Sequence, residues 1–119
     1  MLVKIGTSRI VFLINKYAIK IANFRNGQQL FIYGCYGNIS ERKYYKQHSK
    51  VDYNDNMVEY IAPSLFCSWF GLIQIQIRAE PLTRKMSNKE FNFFRNLTTD
   101  NKEENFGIIN NKIVCIDYV

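Results

Sequence analysis

Apolar and polar residues divide this chain into short segments of two different periods. β-Branched and aromatic side chains fill Arg9–Ile14 and Tyr17–Ala22, and the pair Asn15-Lys16 between them suits a tight turn. That pattern predicts a hairpin, preceded by a short strand over Leu2–Ile5. Residues 28–33 form a weaker apolar patch, and Gly34-Cys-Tyr-Gly37 reads as a loop. Asn38 or Ser40 then caps a helix through residues 41–48, ended by the polar run Asp52-Tyr-Asn-Asp-Asn56.

Further along, residues 65–69 and 72–78 flank Phe70-Gly71. In the second run Ile73, Ile75 and Ile77 alternate with Gln74, Gln76 and Arg78. Period-2 alternation predicts a second hairpin with one wet face, the glutamines turned to solvent. Ser87 with Glu90 three residues on is a capping-box pattern opening a helix over residues 87–97, with Phe91, Phe94 and Leu97 on one side. Residues 107–109 and 112–116 flank Asn110-Asn111 as a third hairpin. The expected order is strands, helix, strands, helix, strands, an α+β fold built on an antiparallel sheet and two helices.

Length and composition keep this picture small. A chain of 119 residues, 47% hydrophobic, with 8 Tyr, 9 Phe, two Pro and six Gly, is expected to form one domain with one core and no linker. The most apolar stretch, residues 61–77, is broken by Pro63, Ser64, Ser68, Gly71, Gln74 and Gln76, so no spanning helix is expected. The start lacks the basic and apolar regions of a signal peptide. An intracellular protein is therefore the expectation. Cys35, Cys67 and Cys115 are odd in number and far apart, which argues against a disulfide framework or a zinc site and leaves them as half-buried packing residues. Tyr44 and Tyr45 are expected to pack the first helix onto the sheet, and His48 to sit at the surface or the helix end.

Charge adds an asymmetry. Of the net +6, residues 1–50 carry nine Lys or Arg against Glu41 alone, whereas the remainder is slightly acidic. The basic half faces phosphate or an acidic partner, or is simply solvated surface. Enrichment in Asn, Ile, Lys and Tyr points to an A/T-rich genome such as those of some bacteria and phages.

Candidate chemistry concentrates near residue 100. Asp100-Asn-Lys-Glu-Glu-Asn105 places an acid, Lys102 and an Asn in a polar turn between a helix and a hairpin, and Asp117-Tyr118-Val119 follows the last predicted strand. The first run resembles the catalytic loop of the protein kinases, and the second resembles their DFG or DYG metal-binding motif. Upstream, Tyr17-Ala-Ile-Lys20 resembles the VAIK strand, whose Lys pairs with nucleotide phosphates and with a Glu on the next helix, here Glu41. Gly6-Thr-Ser-Arg-Ile-Val-Phe12 occupies the place of the glycine-rich loop, and Gln76-Ile-Arg-Ala-Glu-Pro-Leu82 that of the hinge.

The resemblance implies a minimal protein-kinase-like domain over residues 1–119, with residues 1–78 as an N-lobe and 79–119 as hinge, helix and catalytic-loop hairpin. It implies ATP and Mg2+ as cofactors. Asp100 and Lys102 would be catalytic, Asn105 and Asp117 would hold the metal, and Gly6, Arg9, Lys20, Glu41 and Glu80 would contact the nucleotide, the last through the backbone of the hinge. Departures are as informative. Of the glycine-rich pattern only Gly6 is kept, Thr98-Thr99 stand where the family has His-Arg, Val119 replaces the last glycine of the metal motif, and no substrate-binding helices follow.

Three functions are consistent with these residues. One is a nucleotide-binding protein with a degenerate cleft and weak or absent phosphotransfer. Another is a kinase-derived protein that binds and inhibits a host macromolecule, of the phage-encoded type, and a truncated lobe of this kind is expected to expose apolar surface for a protein partner or a homodimer. Nucleic-acid binding is the third, unsupported by any Lys/Arg run or aromatic platform.

Overall fold

The computed structural model describes residues 1–49, 57–95, 98 and 102–118. Among the described residues, seven strands and two α-helices build an α+β fold: β1 (Leu2–Ile5), β2 (Arg9–Ile14), β3 (Tyr17–Ala22), α1 (Gln28–His48), β4 (Ser64–Cys67), β5 (Ile73–Ile77), α2 (Asn88–Phe94), β6 (Phe106–Ile109) and β7 (Lys112–Cys115). One antiparallel sheet has the order β1-β2-β3-β5-β4, and β6 and β7 form a separate hairpin. The hairpin turns use asparagine where the backbone is left-handed, at Asn15 (φ 51°) and at Asn110 and Asn111 (φ 53° and 66°). Asparagine tolerates that region better than other residues with a side chain.

The first helix is longer than the sequence suggests. α1 is continuous from Gln28 to His48, so Gly34-Cys-Tyr-Gly37 is helical rather than a loop, and Asn38 lies in mid-helix rather than at a cap. Close approach explains the glycine. A Cβ at Gly34 would stand 2.1 Å from the Ser8 carbonyl oxygen, so only glycine lets the β1–β2 turn rest on the helix. Across the helix, Gly71 (φ 82°) meets the Cys35 carbonyl in the same way, with a Cβ placed at 2.2 Å. Two turns thus grip α1, and a residue type that normally weakens helices is required for packing.

α1 lies on β3, β4 and β5. Strand register places Ala18, Lys20 and Ala22 of β3 beside Gln74 and Gln76 of β5 on the helix-facing side. Lys20, Gln74 and Gln76 have no solvent exposure. The expected wet face of the second hairpin is therefore the buried one, and Ile73, Ile75 and Ile77 point away from the helix, half-buried. Alternation fixes which residues share a face without saying which face is inward. Here polar hydrogen bonding to α1 decided it.

The apolar core sits to one side of this layer. Ile61, Met86, Phe94, Phe106, Cys115 and Tyr118 form it, with Tyr44 and Tyr45 from the end of α1 packed against them. The tyrosines thus anchor α1 to the α2 and β6–β7 region, not to the sheet. Tyr44 also stacks on His48 at 4.1 Å between ring centroids. Cys115 is fully buried, whereas Cys35 and Cys67 are half-buried as expected. Burial and the nearby Asp117 push the Cys115 thiol up to about 12. The Tyr118 hydroxyl donates to the Ala62 carbonyl at 2.8 Å and its pKa is raised, chiefly by burial. α2 opens on the expected capping box, in which Ser87 accepts from the Glu90 N–H and Glu90 accepts from the Ser87 N–H.

Candidate functional site

Four charged side chains meet where β2, β3, α1 and the segment after β7 converge. Lys20, at the centre of β3, shares with its register partner Gln74 the side of the sheet that α1 covers. Its Nζ donates to Glu41 Oε1 at 3.0 Å, to Asp117 Oδ1 at 2.8 Å and to the Ile116 carbonyl at 2.8 Å, which uses all three ammonium protons. Arg9 makes a fork with Glu41, Nη1 to Oε1 at 2.9 Å and Nη2 to Oε2 at 3.0 Å, and reaches Asp117 Oδ1 at 3.2 Å.

Neutral amides complete the shell. Gln74 and Gln76 each donate to Glu41 Oε1, at 2.9 Å and 3.2 Å. Asn38 accepts from Arg9 at 3.1 Å and donates to the carbonyls of Lys20 and Gly71. Arg42, one turn of α1 beyond Asn38, donates to the Ser64 carbonyl. Among the described residues only Gln76 Oε1 is a buried side-chain polar atom without a partner.

Two cations and two carboxylates therefore cancel where three of the four are shielded from water and only Asp117 stays substantially exposed. Burial alone would lower the Arg9 pKa, but Glu41 and Asp117 more than reverse that and raise it. For Asp117, burial acts to raise the pKa, and the charges of Lys20 and Arg9 win, holding it below the usual carboxylate value.

The cluster opens on a cleft of about 520 Å3. One wall is the β1–β2 turn with Gly6, Thr7, Ser8 and Arg9, and the other carries Glu104, Asn105 and Asp117. Asp117 lines the cleft with its side chain 41% exposed, and its hydrogen bonds from Lys20 and Arg9 both fall on Oδ1. Asn105 ends a short 3-10 turn, Glu103–Asn105, and its carbonyl accepts from the Ile116 N–H at 2.7 Å, which ties Asn105 to the segment carrying Asp117 on the same wall.

The structure thus brings Gly6, Arg9, Asn105 and Asp117 to the cleft and ties the buried Lys20 and Glu41, which do not line it, to Arg9 and Asp117. Others lie elsewhere. Lys102 is exposed at the start of the 3-10 turn and does not line the cleft, and Asp100 lies outside the described residues, as do Leu97 and residues 52–56. Glu80 is exposed, and its N–H and carbonyl both pair with Ile108 at 2.8 Å. The Arg78 N–H bonds to the Lys16 carbonyl. The backbone groups expected to meet an adenine edge are therefore largely committed within the protein. The Gly6 N–H is also used, by the Arg9 carbonyl at 2.8 Å.

Sequence reasoning missed Asn38, Gln74 and Gln76 as parts of the site. A signal for the glutamines exists: a strand Lys expected to pair with a helix Glu demands polar neighbours on the same face, and Gln74 is opposite Lys20. Among the described residues no three His, Cys, Asp or Glu side chains form a metal-binding group. Asn105 and Asp117 are nonetheless hard oxygen donors of the kind magnesium takes, since that ion needs only one or two carboxylates and completes its shell with water and phosphate. No protein-family model, curated protein or solved structure matches the chain.

Proposed function

We propose that the chain is a kinase-like nucleotide-binding protein whose cleft takes the polyphosphate of ATP with Mg2+, with weak or absent phosphotransfer. One observation carries this reading: Lys20 lies 3.0 Å from Glu41 and 2.8 Å from Asp117, and Asp117 and Arg9 carry that buried network to the wall of a cleft also lined by Gly6, Thr7 and Ser8. Lys, Glu and Asp in that relation match what phosphoryl-transfer sites use to hold phosphate and metal. Bound magnesium would neutralise phosphate charge. Asp117, with Asn105, would hold it, and Thr7 and Ser8 line the same cleft.

Weak turnover follows from the charge arrangement. Lys20 has no spare proton to donate, and Arg9 is committed to Glu41 and Asp117. Lys20 reaches a phosphate only by giving up one of these bonds, and Arg9 has both terminal nitrogens tied up. The catalytic roles of Asp100 and Lys102 belong to the same proposal, with Lys102 having to move inward from its exposed position.

Titration calorimetry and thermal melts with ATP and magnesium test the reading. Saturable heat and a raised Tm are expected, both abolished by Asp117→Ala and reduced by Asp117→Asn. No heat, together with melting curves that ignore ATP in wild type and Asp117→Ala alike, would dismiss it. Mutual neutralisation of the four charges favours one second reading, a kinase-derived protein that binds and inhibits a host macromolecule without catalysis. Specific capture of a partner by a protein that ignores ATP would select that alternative.

A further inference from the structure

The sheet has a second face, and nothing among the described residues covers it. α1 packs on the polar side, and α2 belongs to the neighbouring core. On the far side, strand register aligns Val3, Phe12, Ile19, Ile75 and Phe66 in one row across all five strands. The row on one side of it is entirely isoleucine, from Ile5 to Ile73, and the row on the other runs Ile14, Tyr17 and Ile77. No charged side chain stands in any of the three. Val3 is 43% exposed, Ile5 67% and Phe66 50%.

We propose that this face is the interface of a two-fold homodimer, the sheets of two copies stacking with α1 on the outside of each. Area supports a second copy as the occupant. Side chains of this size present ~150–200 Å2 when open, so exposures between about a tenth and two thirds leave on the order of 700 Å2 across the three rows. A stable interface takes ~800 Å2 per partner, and the largest apolar patch of a typical monomer is only ~300–600 Å2.

Chemistry points the same way. A face without charge asks a partner for shape and apolarity alone, which the face itself supplies, and rows of isoleucine read alike in either direction. That is the requirement of an isologous contact. Beside Phe66 lies a hollow of about 270 Å3 lined by Tyr17, Ile19, Leu65, Phe66 and Ile75. A two-fold axis lying in the interface along the Val3–Phe66 row brings the two Phe66 side chains and their flanking hollows together across the contact, and the shared twist of two identical sheets suits aligned stacking. The cations at the border, Lys16 and Arg78, both lie at the Tyr17 and Ile77 end of the strands, so the same axis sends them to opposite ends of the interface. The proposal does not depend on nucleotide binding.

Sedimentation equilibrium tests it. The wild-type chain is expected at twice its 14.1 kDa mass, with an association constant that changes little with salt. Ile75→Lys, and independently Phe66→Glu on the edge strand, are expected to sediment as monomers with an unchanged far-ultraviolet circular dichroism spectrum. Phe66→Glu serves if Ile75→Lys fails to fold. A wild type that stays monomeric up to its solubility limit overturns the proposal, as do charged variants that still dimerise, or a mass that climbs without reaching a plateau. A monomer that co-sediments with phosphatidylcholine vesicles, and loses that binding in Phe66→Glu, would assign the face to a lipid surface instead.

Discussion

Replacing Glu41 by alanine is the most informative single perturbation of the buried network. Glu41 is 2% exposed and accepts at Oε1 from Arg9, Lys20, Gln74 and Gln76 and at Oε2 from Arg9. Glu41→Ala leaves two cations under a helix with Asp117 as their only shared carboxylate. Removing one member of a buried ion pair costs ~3–5 kcal/mol, because the orphaned charge keeps its desolvation penalty. Since Asp117 remains, about 4 kcal/mol is expected, a large fraction of the ~5–15 kcal/mol that stabilises a domain. With an unfolding entropy of ~2.1 cal/mol/K per residue, that corresponds to a fall in Tm of roughly 16 °C. Urea unfolding followed by far-ultraviolet circular dichroism measures it. Trp69 is 90% exposed and makes a poor fluorescent reporter. The double variant Lys20→Met/Glu41→Leu is expected to lose less than the sum of the two single variants, since an apolar pair of similar volume removes both desolvation penalties while Arg9 keeps Asp117, although Gln74 and Gln76 lose an acceptor. A cost below about 1 kcal/mol for Glu41→Ala, or a double variant as unstable as the sum of the two single ones, would refute the view that these charges are mutually dependent.

Three further outcomes follow from particular contacts. On an open helix Gly→Ala stabilises by about 1 kcal/mol, but Gly34→Ala drives a Cβ against the Ser8 carbonyl and is expected to cost ~3 kcal/mol in the same urea assay. Ser87→Ala removes the side chain that caps α2 and is expected to cost ~1 kcal/mol, read as a shift in the urea midpoint. Because Lys20 and Arg9 outweigh burial and depress the Asp117 pKa in the folded state, its contribution to stability is complete above the unfolded value of ~4 and disappears as pH falls through the lower folded one. Melting curves of wild type and Asp117→Asn from neutral to strongly acid pH should therefore converge at the acid end, and curves that stay parallel would contradict the shift.

Strand positions were legible because local chemistry sets them. The Asn15-Lys16 and Asn110-Asn111 turns, the β-branched runs and the Ser87–Glu90 capping box are decided by neighbours within a few residues. The family resemblance implies the Lys20–Glu41 pairing, whereas the ion pairs of Asp117 with Lys20 and Arg9 fall outside it, since it makes Asp117 a metal ligand. What escaped the sequence was set by distant partners. Gly34 reads as a helix breaker until Ser8 is known to lie against it. Gln74 and Gln76 read as solvent-facing until a buried Lys and Glu on the same side supply their hydrogen bonds. Asn38 reads as a cap until the carbonyls of Lys20 and Gly71 are placed beside its amide. Period-2 alternation was seen correctly, and its sense was inverted because hydrophobicity normally decides the inward face and here did not.

The ionic contacts of Arg9 and Lys20 to Asp117 join residues 108 and 97 positions apart. Such closures are the slowest to form, since most of the chain must be ordered before they reward the entropy they cost. During synthesis Arg9, Lys20 and Glu41 emerge long before Asp117, so the first sheet and α1 come together around an excess of positive charge still open to water. The last ion pair then works as a latch: it completes electrical neutrality and seals the two ends of the described chain in a single late event, making the cleft one of the final features of the molecule to take shape.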